Sequence, residues 1–278
     1  MSVRKPVVGV AGCGAMGLPM AERLHLAGID VWGFDIRPPD EFGAFADRMI
    51  TDPARFAARV DVLLTVVRDA VQTTDLLLAK QALIHRAKAP SVVVICSTLS
   101  PRYLLQLAQQ IPVDLSLMDA PMSGAPYRAR SGELTFMLGG EPALVQRLYP
   151  LFKAMGREIH HLGPLGHGMT VKVLNNYSAA ASVVATRRVL ALAEALKVDR
   201  DRLLTVMANS SGGNWYADTP HAIDWSGEGY SPDNTIGIVE KDVRSALDAV
   251  ADLPEADQSN LDNAILEALA ALQPLNRT

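Results

Sequence analysis

The chain has little of what marks a secreted, membrane-spanning or nucleic-acid-binding protein. Two cysteines in 278 residues cannot form a disulfide framework, so a reducing cytoplasm is the expected compartment. No apolar run approaches the length of a membrane span, and the start of the chain is expected to form a strand, a turn and a helix rather than a signal peptide. The net charge of −4 gives no general attraction to nucleic acid or to anionic membranes.

Histidines with the spacing of metal ligands are also lacking. The six histidines are scattered and are interpreted as structural, so no metal site is predicted. What remains is a chain with 49% apolar and 20% charged residues, which is typical of a globular protein. Its length suits two domains or one large domain.

The most informative stretch is a glycine-rich segment near the start of the chain. Val7–Ala11 is a short apolar run, typical of a buried parallel strand. Three glycines follow it in the spacing G-x-G-x-x-G, namely Gly12, Gly14 and Gly17. Such glycines allow a tight turn beside a pyrophosphate, and the helix predicted over Ala15–Ala27 would direct its free N–H groups at that phosphate. The segment predicts a dinucleotide site, with a plain strand-to-helix turn as the alternative.

Two charged residues of opposite sign follow the second predicted strand, Asp30–Phe34. Asp35 lies eighteen residues after Gly17, close to where an acidic residue binds the ribose of NAD and would repel the 2′-phosphate of NADP. Arg37 favours that phosphate instead, but it precedes two prolines and is expected to point to solvent. NAD is therefore the predicted cofactor, and NADP is the alternative.

The pattern of elements changes along the chain. Strands alternate with helices as far as Gly163, which predicts an α/β fold with a Rossmann-type, doubly wound and mainly parallel sheet. A long run without proline or further glycine extends from Gly168 to Leu196 and predicts one long helix, after which no strand pattern appears. We therefore expect a dinucleotide-binding domain over residues 1–163 and an all-helical domain over residues 164–278, joined by this helix.

Lys172 and Asn176 lie four residues apart near the start of the long helix, so both side chains are expected on one helix face. A lysine near a helix N-terminus is close to the positive end of the helix dipole, which disfavours its charge. Partial burial would lower its pKa further, toward the range needed for proton transfer at neutral pH. The alternative is an exposed lysine on a solvated helix, and the spacing alone leaves both open.

Four segments together resemble the signatures of the β-hydroxyacid dehydrogenases, the family of 3-hydroxyisobutyrate dehydrogenase, tartronate semialdehyde reductase and L-threonate dehydrogenase. They are the glycine-rich segment Val8–Ala21, the sequence Asp-Ala-Pro-Met-Ser-Gly over 119–124, the segment Gly166–Asn176, and the pair Lys241-Asp242. They occur in the family's order and span nearly the whole chain. The resemblance implies reversible NAD(P)-dependent oxidation of a small β-hydroxy acid to a semialdehyde or keto acid.

The same resemblance implies a role for each matched residue. Lys172 corresponds to the catalytic lysine, which would move a proton to and from the substrate oxygen. Asp35 and Arg37 complete the predicted cofactor site. The other matched residues are assigned to the cofactor (Gly12, Gly14, Met16, Gly17 and Thr98) or to the carboxylate-bearing substrate (Ser123, Gly124, Asn176 and Lys241).

Some features leave alternatives open. The sequence Gly124–Pro126 stands where the family often has Gly-Gly, and Cys13 stands where a larger apolar residue is usual. A reductase of imines or of carbonyl compounds without a carboxylate is an alternative enzyme, and an NAD(P)-binding sensor without catalysis is an alternative of another class. Lys172, with Ser123 and Lys241 to bind an anion, favours the hydroxy acid enzyme over the other reductases. Retention of these three residues together with Asn176 argues against the sensor.

Two expectations concern the helical domain. The long helix has apolar and small residues on more than one face, which predicts a homodimer or homotetramer built on the helical domains, as the resemblance also implies. The glycine- and aromatic-rich segment Ser210–Tyr230 is predicted as a loop. In the family the corresponding region lines the substrate cleft, which makes Asn214, Trp215 and Tyr216 candidate specificity residues.

Overall fold

The computed structural model describes residues 5–218, 223, 225–253 and 259–275. The chain divides into two compact units, Met1–Lys172 and Val173–Thr278. The first unit contains a sheet flanked by helices, and the described part of the second contains helices. The predicted α/β fold with a Rossmann-type sheet, followed by a helical part, is confirmed.

The strands of the first unit belong to one sheet, in which β1 to β6 take the order β3-β2-β1-β4-β5-β6 that is typical of Rossmann folds. These six strands are mutually parallel. In chain order, the strands are β1 (Val8–Ala11), β2 (Val31–Phe34), β3 (Met49–Ile50), β4 (Val62–Thr65), β5 (Val92–Ile95), β6 (Ser116–Asp119), β7 (Met122–Ser123), β8 (Leu134–Gly139) and β9 (Gly156–Gly163).

The sheet changes direction after β6. Strand β8 is antiparallel to β6, with Asp119 opposite Gly139, and β7 is antiparallel to β8. Strand β9 then pairs with β8 in parallel. Most strand pairs of the sheet are thus parallel, as predicted. The antiparallel pairs are β6 with β8 and β7 with β8, so the residues after Asp119 lie along β8.

The sheet has an apolar core on each face. All residues of β1, β4 and β5 are buried, which is why these strands have continuous apolar sequences instead of an alternating pattern. Successive residues of β4 point to opposite faces, so Leu63 and Leu64 belong to different clusters of buried side chains.

Helices cover the sheet and make up the second unit. Within the described residues they are α1 (Gly17–Leu26), α2 (Pro53–Arg59), α3 (Ala70–Leu77), α4 (Pro101–Ala108), α5 (Pro126–Ser131), α6 (Pro142–Met155), α7 (His167–Ala195), α8 (Arg200–Ala208), α9 (Trp215–Asp218), α10 (Thr235–Val250) and α11 (Asn260–Ala270). Ser100 caps α4 as its sequence predicts, because its hydroxyl accepts a hydrogen bond from Arg102 N and Pro101 takes the first helical position.

The second unit has a smaller core and a buried arginine. Buried side chains of α7, α10 and α11 form its main apolar cluster. Arg187 on α7 is 5% exposed and donates to the carbonyl oxygens of Ser226 and Glu228, at 2.9 Å each, and to that of Gln273. These hydrogen bonds fasten the loop between α9 and α10, and the residues after α11, to the long helix.

Candidate active site

The glycine-rich turn joins β1 to α1 and has one packed side and one open side. Gly12 has φ of +92°, which favours glycine, and a methyl group there would lie 2.7 Å from the carbonyl oxygen of Val66. A methyl group at Gly17 would overlap the carbonyl oxygen of Gly12. At Gly14, by contrast, no atom of the described residues lies within 4 Å of the position that a methyl group would take.

The start of α1 suits an anion. Met16, at the N-cap position, makes no side-chain hydrogen bond to the helix, and the first turn carries no acidic residue. The N–H groups of this turn are therefore not capped by a side chain, and they lie at the positive end of the helix dipole. Together with the open side of Gly14, this turn fits the pyrophosphate of a dinucleotide.

Asp35 follows β2, and its carboxylate is bound by Arg37. Arg37 Nε lies 3.1 Å from Oδ1 and Nη2 lies 3.2 Å from Oδ2, while Nη2 also donates to the carbonyl oxygen of Cys13 at 2.9 Å. The hydrogen bond with Asp35 raises the pKa of the Arg37 guanidinium. The expectation that Arg37 points to solvent is wrong, because its donors are directed at the carboxylate and at the glycine-rich turn, although the side chain is half-exposed.

Both cysteines lie near the end of a strand and are buried. Burial raises the pKa of the Cys13 thiol to about 12 and also raises the pKa of Cys96. Each thiol is therefore protonated at neutral pH. Cys13 packs in the apolar core. Its smaller size, compared with the apolar residue usual in the family, therefore affects packing beneath the glycine-rich turn and not the open side of that turn at Gly14.

Thr98 lies just beyond β5. Because parallel strands end at the same edge of the sheet, it lies at the edge where Gly12 follows β1. It is half-buried, and its neighbour Ser97 is buried and donates to the carbonyl oxygen of Thr65 at 3.5 Å. The next residue, Leu99, donates its backbone N–H to Met169 Sδ at 3.2 Å. The strand end assigned to the cofactor is thus attached to the start of α7.

Ser123 and Gly124 form a turn between β7 and α5. Ser123 is partly exposed and pairs with Thr135 across the antiparallel strands. Gly124 has φ of +133°, and Pro126 occupies the first position of α5. The departure from the Gly-Gly pattern therefore begins a helix immediately after the turn.

Lys172 lies in the second turn of α7 and is 7% exposed. This burial excludes the alternative of an exposed lysine on a solvated helix. Lys172 therefore meets the second condition for a proton-transferring lysine that the sequence left open.

Within the second unit, Asp242 connects the two residues assigned to the substrate. Asn176 Nδ2 donates to Asp242 Oδ2 at 2.6 Å, and Lys241 Nζ lies 2.7 Å from Oδ1 as an ion pair. The Asp242 side chain is 4% exposed, whereas that of Lys241 is 28% exposed. Sequence reasoning gave no role to Asp242, although an acidic residue next to the matched lysine is a signal for such a pairing.

The candidate specificity residues differ in their surroundings, and the prediction of a loop over Ser210–Tyr230 is wrong for Trp215 and Tyr216, which begin α9. Tyr216 is 2% exposed in the core of the second unit, and its hydroxyl donates to the carbonyl oxygen of Ser226. Asn214 Oδ1 accepts from the backbone N–H groups of Tyr216 and Ala217. Trp215 is partly exposed and lies against Tyr216 and Trp225. Its side chain is the most exposed of the three candidates. Residues 219–222 and 224 of this segment lie outside the described residues.

The described part of the chain lacks a metal site and a membrane-spanning helix. It contains no group of three or more His, Cys, Asp or Glu side chains that could hold a metal ion. No helix there is both long enough and apolar enough to cross a membrane.

The strand order and the glycine turn define an NAD(P)-binding protein, and comparison with known proteins makes the class specific. Residues 7–163 match the NAD-binding domain of 6-phosphogluconate dehydrogenase. Residues 166–271 match the NAD-binding family of NADP-dependent 3-hydroxyisobutyrate dehydrogenase. The chain belongs to the β-hydroxyacid dehydrogenase family and is an NAD(P)-dependent hydroxyacid dehydrogenase.

Individual relatives have the same fold and related activities. An L-threonate dehydrogenase of Cupriavidus necator is 32% identical over 248 residues, which cover 87% of this chain and 82% of the relative. An NAD-dependent L-serine dehydrogenase of Pseudomonas aeruginosa is 34% identical over 214 residues, 75% of this chain and 71% of the relative. The crystal structure of a 3-hydroxyisobutyrate dehydrogenase from Salmonella typhimurium is 26% identical with a TM-score of 0.81, over 95% of this chain and 93% of that one.

Proposed function

We propose that the protein catalyses the reversible oxidation of a small β-hydroxy acid to a semialdehyde or keto acid, with Lys172 as the general acid and base. The observation that carries the proposal is the burial of Lys172 in the second turn of α7, 7% exposed. L-threonate, L-serine and 3-hydroxyisobutyrate, named by the relatives, share a carboxylate and a hydroxyl on the β-carbon. This shared chemistry supports a substrate of the same kind here.

The chemistry of oxidation requires a hydride acceptor and a proton acceptor. The nicotinamide ring of the cofactor, when bound, accepts the hydride in oxidation and returns it in reduction. Lys172, as the neutral amine, takes the proton from the substrate hydroxyl in oxidation. In reduction the Lys172 ammonium returns this proton to the carbonyl oxygen, so proton and hydride balance in both directions.

The substrate carboxylate is assigned to donors at Ser123 and Gly124. A hydroxyl and a backbone N–H form a pair of donors for one carboxylate. Asn176 orients the substrate, and Lys241 adds a positive charge. Asp242 supports both, because its carboxylate holds the Asn176 amide and the Lys241 ammonium.

These assignments give the two parts of the chain different functions. We assign cofactor binding to residues 1–163, through Gly12, Gly14, Met16, Gly17 and Thr98, with Asp35 at the ribose. We assign the substrate-orienting Asn176 and Lys241 to the helical part, residues 164–278, which also carries the predicted oligomer contacts.

Preference for NAD over NADP is part of the proposal. Asp35 Oδ1 accepts from both the backbone N–H and Nε of Arg37, whereas Oδ2 accepts only from Nη2 and keeps a lone pair with which to accept a ribose hydroxyl. A 2′-phosphate would instead meet the Asp35 carboxylate, while the Arg37 donors are already directed at Asp35 and Cys13. Arg37 is therefore assigned to holding the Asp35 carboxylate in place and not to binding a 2′-phosphate.

Lys172→Ala tests the reaction assignment. Turnover is expected to fall by about 10²–10⁴-fold, the usual size of a general acid/base contribution. Binding of NADH, followed by its fluorescence, should be unchanged, because Lys172 is not assigned to the cofactor. The assay uses 3-hydroxyisobutyrate, L-serine and L-threonate with each cofactor. Near-normal turnover of the variant would contradict the role of Lys172, and NADH binding by the wild type without turnover of any hydroxy acid would favour a sensor.

A further inference from the structure

We infer that Asp119 is a positioning residue for the proposed reaction, because it fixes the start of α7 and thereby the place of Lys172. The inference rests on the proposed acid/base role of Lys172. Asp119 ends β6, four residues before Ser123, and is fully buried. The resemblance implied no role for it.

Both oxygens of the Asp119 carboxylate accept hydrogen bonds from the start of α7. Gly166 N donates to Oδ1 at 2.7 Å, and Met169 N donates to Oδ2 at 2.6 Å. The first N–H groups of a helix have no partner within the helix, so the carboxylate satisfies them where water cannot. The carboxylate thus holds the helix at two points, of which the second is three residues before Lys172.

The start of α7 is also in direct contact with the end of β8. A methyl group at Gly168 would overlap the carbonyl oxygen of Met137. A methyl group at Gly139 would overlap Asp119 Oδ1. Neither the helix nor the carboxylate has room to move toward the strand, so the two hydrogen bonds fix one position.

A third attachment lies on the same helical turn. The Met169 side chain is buried, and its Sδ accepts the backbone N–H of Leu99 at 3.2 Å. Leu99 directly follows Thr98, which is assigned to the cofactor. The turn that precedes Lys172 is therefore attached to the ends of both β5 and β6. Such fixing matters because a proton is transferred efficiently only over about 2.6–3.2 Å between heavy atoms.

The charge of Asp119 does not serve stability at neutral pH. Burial raises the pKa of Asp119 to about 6, against the two N–H donors of α7 and the charge of His167, which lower it. The titratable groups that face it are His167 and the Cys96 thiol. A carboxyl with a raised pKa stabilises the fold fully below its unfolded pKa of 3.8, and this stability is lost as the pH rises through about 6. The negative charge of Asp119 at neutral pH therefore does not stabilise the fold, and its role is better explained by the two hydrogen bonds that position the start of α7.

Asp119→Asn is the decisive variant. It keeps the size of the side chain but replaces one acceptor by an NH₂ group, which cannot accept the N–H of Gly166 or Met169. We expect kcat to fall by about 10- to 100-fold, the effect of a small misplacement of a reacting group. The KM for the cofactor should stay near that of the wild type, and the unfolding temperature should change little, because the lost hydrogen bond destabilises the fold while removal of a buried charge stabilises it. Asp114→Asn, the same change at an exposed residue before β6, is the matched control and should leave kcat unchanged.

Two further measurements separate positioning from a general effect. The wild-type kcat should fall as the pH decreases through about 6, because protonation of Asp119 removes an acceptor, and this limb should be absent from the Asp119→Asn profile. In a Lys172→Ala background, Asp119→Asn should cause no further loss, since the residue acts through the lysine.

The outcomes are distinguishable. Multiplicative losses in the double variant, or an Asn variant that does not fold, would overturn the positioning role, the latter because the carboxylate would then be required by the fold. Low activity of Lys172→Ala with wild-type kcat for Asp119→Asn would contradict this inference alone. Full activity of Lys172→Ala would contradict the proposed function, and the inference with it.

Discussion

The two units differ in how completely they bury their apolar side chains. In the first unit, the central strands are buried along their whole length and have an apolar cluster on each face. The described part of the second unit has two smaller clusters, and apolar side chains of α7 and α8 remain exposed. Leu192 is 43% exposed, Leu196 74% and Val206 61%.

Apolar residues therefore have different surroundings in the two units. Continuous apolar runs in the first unit form the apolar clusters on the two faces of its sheet, although apolar side chains outside these strands, such as Leu26 and Val71, are exposed as well. Apolar residues on several faces of α7 exceed what the second unit buries by itself. Exposed apolar side chains that form a contiguous patch are typical of a surface that associates with another protein surface.

A matched pair of leucine truncations gives the largest effect. Leu64→Ala removes a side chain that is 1% exposed in the core of the sheet, so we expect the free energy of unfolding to fall by about 2–5 kcal/mol. Leu192→Ala makes the same chemical change on an exposed face, and we expect a change within about 0.5 kcal/mol. Urea unfolding of both variants at the same low protein concentration measures the contrast. Equal losses would contradict it.

The predicted assembly is the next test. If α7 covers its apolar face with another copy of the chain, the wild type is a homodimer or homotetramer. A variant with Leu192→Glu and Leu196→Glu would then be a folded monomer of about 30 kDa, because two charges would oppose burial of the face. Light scattering at micromolar concentration measures the mass, and circular dichroism serves as the control for folding. A monomeric wild type would contradict the prediction.

A smaller effect is expected at the cofactor ribose, in the first unit alone. Asp35→Ala removes the carboxylate and frees the Arg37 guanidinium, so kcat/KM with NADP relative to NAD should rise by about 10-fold or more, the value of one charge-assisted hydrogen bond. The double variant with Arg37→Ala should lose this gain while activity with NAD remains. A wild type that prefers NADP would show that Arg37 binds the phosphate, and the role of Asp35 would be wrong.

Elements that depend on local sequence were predictable. The strand, turn and helix around Gly12 follow from apolar runs and glycine spacing. The segment after Asp35 was not predicted element by element. It contains 3₁₀ turns over Pro39–Arg48, then β3 and α2. Such short elements carry too few residues to show a period.

Contacts between distant residues were not predictable. The hydrogen bond of Asn176 with Asp242 joins residues 66 apart, and that of Asp119 with Met169 joins residues 50 apart. Spacing predicts which side chains share a helix face, but not which other element faces them. The strand β7 was also missed, because two residues have no pattern and its pairing depends on β8.

The two ends of the sheet have a consequence for aggregation. At one end, β3 is only two residues long. Near the other, β9 carries Arg157 and Glu158, whose side chains are 74% and 58% exposed, and His160 is exposed as well. A short strand and a charged strand are poor templates for backbone pairing with a second chain. Growth of an amyloid-like sheet from the folded protein is therefore disfavoured.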